Sequence, residues 1–140
     1  MTFEDYLGIM QTLARYGHAL DSADAPFDTV LTEDVVFDMR PSGGPVARGR
    51  TAVLEAMTGL PDDPYSRRGG GHRPVLSHHT TNSEIVDDRG DEVDVRSKFL
   101  RLGQVQPGPM PVLIGQYLDT LTRTPDGWRI SHRTIISHGM

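Results

Sequence analysis

The stretch Val93-Asp94-Val95-Arg96-Ser97-Lys98-Phe99 alternates apolar or small residues with charged ones at every step. A period of two is the mark of a strand with one face on a core and the other in water. Working outward, the same period predicts strands over about 75–86, 92–102, 112–123 and 128–137. Turn formers separate them: Asp87-Asp88-Arg89-Gly90, a Pro/Gly stretch near 107–111, and Pro125-Asp126-Gly127. Four strands in this order read as an antiparallel meander.

Upstream the period changes. Thr2, followed by Glu4 and Asp5, reads as a helix N-cap whose acids complement the macrodipole. Phe3, Tyr6, Leu7, Met10, Leu13, Ala14, Gly17 and Leu20 recur at three-and-four spacing, which predicts one core-facing stripe ending at Asp21. Asp21-Ser22-Ala23-Asp24-Ala25-Pro26 is a loop by turn chemistry, and Pro26 starts a short second helix through about Leu31. Thr32-Glu33-Asp34 leads into a strand at Val35-Val36-Phe37-Asp38-Met39. A turn at Pro41-Ser42-Gly43-Gly44-Pro45, a short strand at Val46-Ala47-Arg48 and a third helix over Ala52–Met57 follow. Residues 61–74 hold Pro61, Pro64, Pro74, Gly69-Gly70-Gly71, Arg67 and Arg68, and predict a mobile loop. Helices first and strands last give an α+β fold, with three N-terminal helices packed on a curved, mostly antiparallel sheet.

Composition narrows the function. A chain of 140 residues, 36% hydrophobic, is the size of one domain over 1–140 with one core. Nineteen acidic against 14 basic residues, a net charge of -5, argue against a nucleic-acid partner, which calls for a basic patch. The absence of cysteine removes disulfides, thiolate nucleophiles and cysteine-ligated metals. No apolar run approaches a membrane span, and the acidic start is unlike a signal peptide, so no membrane association and a cytoplasmic location are expected.

The chemistry centres on His78-His79 at the start of a strand and Asp21 at the end of the first helix. A carboxylate beside an imidazole fixes its tautomer and stabilises its charged form, which makes a proton-transfer pair. Strand alternation sends His79 to the other face, where a structural role is expected. Trp128 is expected in the core. His72, His132 and His138 follow no ligand spacing with His78 and His79, so no metal is expected. The glycine run lacks the surroundings of a phosphate loop. Asp94, Arg96 and Asp119 loosely resemble the Asp-Arg-Asp set of limonene-type epoxide hydrolases, an alternative reading; alternation with Val93, Val95, Ser97 and Phe99 turns Asp94 and Arg96 away from a pocket.

The element order, with Arg15-Tyr16, Leu20-Asp21, Thr32-Glu33-Asp34-Val35-Val36-Phe37, Gly49-Arg50, Ser77-His78-His79-Thr80-Thr81-Asn82, Gly115-Gln116-Tyr117-Leu118-Asp119 and Asp126-Gly127-Trp128-Arg129-Ile130, resembles the SnoaL-like branch of the nuclear-transport-factor-2-like superfamily, with scytalone dehydratase and the bile-acid dehydratases. The resemblance spans nearly the whole chain. It implies a cone-shaped α+β barrel enclosing a pocket, with Asp21 orienting His78 as the proton-transfer base and Tyr16 donating a hydrogen bond to a substrate oxygen. Met39 stands where scytalone dehydratase has a tyrosine, and the strand from Val93 to Leu102 lacks its second histidine.

The expected function is that of a cofactor-independent dehydratase, isomerase or cyclase acting on a small apolar carbonyl compound such as a polyketide, terpenoid or steroid-like intermediate. Asn82, Tyr117, Met39 and Arg133 are expected in the substrate pocket. A non-catalytic binding or assembly module of the same fold is the competing class. An apolar sheet face left bare by the helices predicts a homodimer.

Overall fold

The computed structural model describes residues 1–22, 26–58, 75–105 and 108–138. The expected mobile loop over 61–74, with His72 and the glycine run, lies outside the described residues. The chain runs α1 (Phe3–Asp21), β1 (Leu31–Asp38), β2 (Val46–Arg48), α2 (Arg50–Thr58), β3 (Val75–Asp88), β4 (Glu92–Val105), β5 (Gly108–Thr124) and β6 (Gly127–His138).

Helix α1 begins at its cap, where Thr2 Oγ1 accepts the Asp5 N–H at 3.0 Å. Its buried side is Ile9, Thr12, Leu13, Tyr16, Gly17 and Ala19, at helical spacing. The apolar stripe expected from the sequence holds at Met10, Leu13, Gly17 and Leu20 but not in the first turns: Phe3 is 79% exposed, and Tyr6 and Leu7 are 46% exposed. The helix carries two apolar tracks, and the one bearing Ile9, Leu13 and Tyr16 faces the core.

The expected second helix is a single 3-10 turn, Phe27–Thr29. The Val30 N–H reaches Phe27 O at 3.0 Å, and the next residue, Leu31, is already in a strand beside Ile130. Only two α-helices are present among the described residues. Gly49, at φ +88°, takes the left-handed turn that only glycine adopts without strain and feeds α2.

One six-stranded mixed sheet has the order β2-β1-β6-β5-β4-β3. Every neighbouring pair is antiparallel except β1 with β6, which run parallel. The Pro/Gly stretch near 107–111 does not end the pairing as expected. Pro109 and Pro111 sit opposite Gln104 and Leu102, while β6 stops pairing with β5 at Ile114. Among the described residues these prolines thus have a strand on one side only, where a missing N–H is tolerated.

The inner face of the sheet carries Val93, Val95, Phe99, Tyr117, Leu121 and Ile130, joined in the core by Phe37 and by the buried side of α1. Helix α1 packs on β3 and β6, and α2 packs on β1 and β2. Trp128 is buried as expected, its Nε1 donating to Asp5 Oδ1 at 3.3 Å. The outer face leaves Ile114 and Leu118 more than 40% exposed on β5.

Candidate active site

Helix α1 delivers Asp21 to the start of β3. Gly17 and Asp21 are four apart on one helix face, and the absent Cβ of Gly17 lets the helix close on the main chain at His78. The His78 N–H then donates to both Asp21 oxygens, at 3.2 and 3.1 Å. His78 Nδ1 lies 2.7 Å from Asp21 Oδ1. The side chains of His78 and Asp21 are 18% and 28% exposed, so the pair sits mostly out of solvent. Against an ionised carboxylate, which only accepts, Nδ1 carries the hydrogen and Nε2 becomes the proton-accepting atom of the neutral ring.

A second polar group is built across β5 and β6. Arg133 and Asp119 sit opposite each other and form a bidentate pair at 2.7 and 2.8 Å, with both side chains fully buried. The guanidinium lies 4.1 Å from the Tyr16 ring centre and 3.7 Å from that of Tyr117. Tyr117 stacks on Phe99 at 4.5 Å, and Tyr16 meets Tyr117 edge-on at 6.0 Å. Burial pulls the Arg133 pKa down, but Asp119 outweighs it and holds the cation above its ordinary value. Burial pushes the hydroxyls of Tyr16 and Tyr117 above their ordinary 10.0, with Arg133 working against it. Both therefore stay protonated near neutrality. The Tyr16 hydroxyl reaches Met57 Sδ at 3.9 Å, a weak acceptor that a substrate oxygen would displace.

The structure thus joins Asp21 to His78, and Tyr16 to Tyr117 and Arg133. Among the described residues, no hydrogen bond or ring contact joins the other two expected pocket residues, Asn82 and Met39, to either group. Asn82 is exposed at an irregularity in β3, at φ +55°, where its carbonyl accepts from Thr81 at 2.9 Å. Asparagine tolerates this left-handed geometry better than most residues. Met39 follows β1 and packs half-buried on the edge of the core. His79 is exposed on the other face, bonded to Ser77 Oγ at 2.8 Å.

The Asp94-Arg96-Asp119 set is not assembled. Asp94 is clamped by Arg89 at 2.6 and 2.9 Å and Arg96 pairs with Glu84 at 3.0 Å, on the face opposite Asp119. Among the described residues no cluster of His, Asp and Glu has metal-site geometry, and no helix is long and apolar enough to cross a membrane.

Sequence reasoning missed Arg101 and the partnership of Asp119 with Arg133. Arg101 shares the face of Phe99 by alternation, a signal that was available. The strand register that sets it opposite His78 was not.

Residues 1–134 match the family signature described as the SnoaL-like domain. No curated protein matches at the sequence level. Among solved structures, a protein from Novosphingobium aromaticivorans named as a candidate aromatic ring hydroxylase is 27% identical, over 100% of this chain and 96% of that one, with a TM-score of 0.77. A nuclear-transport-factor-2-like protein with a cystatin-like fold from the same organism is 25% identical over 94% and 80%, TM-score 0.75. A third, named as a candidate scytalone dehydratase, also from Novosphingobium aromaticivorans, is 25% identical over 95% and 83%, TM-score 0.71.

Proposed function

The chain belongs to the SnoaL-like family, and from that premise we propose that it is a cofactor-independent lyase or isomerase, a dehydratase or cyclase acting on a small apolar carbonyl compound. The observation that carries this reading is the 2.7 Å contact between His78 Nδ1 and Asp21, in a pair mostly shielded from water. A module that only binds ligand has no use for an oriented imidazole. The likeness to a structure named as a candidate scytalone dehydratase supports the same reaction class.

In this reading, His78 Nε2 removes the proton from a carbon next to the substrate carbonyl, and Asp21 stabilises the imidazolium that results. For water elimination, the carbon–hydroxyl bond then breaks and the imidazolium returns its proton to the leaving hydroxyl. For isomerisation or cyclisation, the proton returns to carbon or oxygen of the rearranged product. Tyr16, held neutral by burial, donates to the substrate oxygen, while Tyr117 and Arg133 fix the pocket wall behind it.

The test needs no knowledge of the natural substrate. A panel of β-hydroxy ketones is incubated in heavy water and exchange at the α-carbon is followed by NMR. Wild type is expected to exchange at least one member. His78→Gln should lower that rate by roughly 10²- to 10⁴-fold with little change in thermal stability. Exchange that survives in His78→Gln, or none with any compound, would refute the base assignment and favour a binding module.

The same reading includes a homodimer through the outer sheet face, where Ile114 and Leu118 are exposed. Light scattering at micromolar concentration should give twice the chain mass, and Leu118→Glu should return it to one.

A further inference from the structure

Arg101 stands directly opposite His78 in the β3–β4 ladder, and cross-strand partners share a face with their Cβ atoms about 5 Å apart. His78 turns to α1 and the inner face, so Arg101 does as well. Its charge is felt there, since it pulls on the hydroxyls of both Tyr16 and Tyr117. The side chain is half-buried. The ladder is also irregular at this point: Arg101 pairs with Leu113 but Leu102 with Pro111, one residue further along than regular pairing gives. Such bulges re-aim the side chains beside them.

The described charged groups on this face divide into three. Arg133 is charge-matched by Asp119, its Nε and Nη2 used and its guanidinium set over the rings of Tyr16 and Tyr117, while its buried Nη1 has no partner among the described residues. Asp21 is committed to His78. Arg101 is the cation on the ladder position next to the imidazole. Proton removal beside a carbonyl leaves negative charge on an oxygen two bonds from the carbon that lost the proton, so the group that holds it must stand next to the base.

We infer that Arg101 holds the oxyanion that forms when His78 takes the proton, which makes the substrate an enolisable ketone or aldehyde whose oxygen lies on the β4 side of the imidazole. This rests on His78 being the base. In the step, the carbon–hydrogen bond breaks, its electron pair moves into the carbon–carbon bond of the enolate, and the carbonyl π pair moves to oxygen. The proton goes to His78 Nε2, and no oxidant or second reactant is involved.

The probe is 4-nitrophenol, whose planar phenolate resembles an enolate and absorbs visible light only when ionised. At a pH below its solution pKa, wild type is expected to bind it as phenolate. Arg101→Gln should weaken phenolate binding by tenfold or more and leave neutral phenol binding unchanged. Arg101→Lys keeps the charge without the planar fork, serves if the glutamine variant does not fold, and should bind phenolate a few-fold more weakly than wild type. His78→Gln should still bind phenolate, so this readout is separate from the exchange experiment on the base. Phenolate binding unchanged in Arg101→Gln or Arg101→Lys, binding as neutral phenol only, or no binding to wild type would each overturn the inference. α-Exchange that survives in His78→Gln with the phenolate result intact would instead overturn the base reading and the oxyanion role that rests on it, leaving Arg101 as an anion-binding group.

Discussion

Gly17 of α1 lies so close to the main chain of His78 that a Cβ on it would stand 2.7 Å from the His78 carbonyl oxygen. Replacing a helical glycine by alanine ordinarily stabilises by up to about 1 kcal/mol. Here the obstruction is backbone, which cannot swing aside, and overpacking of this kind costs about 1–3 kcal/mol. The clash outweighs the propensity. Gly17→Ala is expected to lower stability in urea denaturation, and to lower α-exchange further than stability alone explains, because Asp21 is carried off with the helix.

Asp21→Asn separates orientation from packing. The amide oxygen can still accept the His78 N–H, but the amide NH₂ would donate to Nδ1 and put the ring hydrogen on Nε2. The base nitrogen is then blocked. Activity should fall by roughly 10²- to 10⁴-fold while the unfolding midpoint moves little, and the histidine NMR signals should report the changed tautomer.

The Arg133–Asp119 pair is fully buried, so its halves are unequal to its whole. Asp119→Leu alone strands a cation between two tyrosine rings and should cost about 3–5 kcal/mol. The double variant Asp119→Leu with Arg133→Met removes both charges and should cost far less than the sum of the two single variants. Equal costs in a double-mutant cycle would show that the pair does not act as a unit.

Burial holds Tyr16 and Tyr117 above their ordinary pKa of 10.0. A folded-state pKa raised above the unfolded value stabilises the fold fully below the unfolded value and loses that contribution as pH rises through and beyond it. Stability should therefore decline from about pH 10 upward. Tyrosinate absorbance from these two residues should appear together with loss of the far-ultraviolet circular dichroism, and the Tyr117→Phe variant should hold out to higher pH.

Local chemistry was legible where a few neighbouring residues decide the outcome. The Thr2 cap, the end of α1 at Asp21, the inward set Val93, Val95, Ser97 and Phe99, and the exposure of His79 all follow from capping or alternation. The helix stripe was misplaced in the first turns, at Phe3, Tyr6 and Leu7, because α1 has apolar residues on two tracks and only packing chooses between them. The 3-10 turn at Phe27–Thr29 was overread as a helix because Pro26 marks a helical start without fixing how far the helix runs. Asn82 stands at a strand irregularity with a left-handed backbone, which alternation along the chain did not foretell.

The chain by itself determined where α1, α2 and the centres of the long strands lie and which face of β4 is apolar, since periods of 3.6 and 2 are written into consecutive residues. The tertiary structure alone decided that β1 runs parallel to β6, that Arg133 is buried against Asp119, and that Arg101 faces His78. Those relationships join residues distant in sequence, and an alternating pattern fits many registers equally well. Which register wins is settled only when the inner faces, the bulges and α1 pack together.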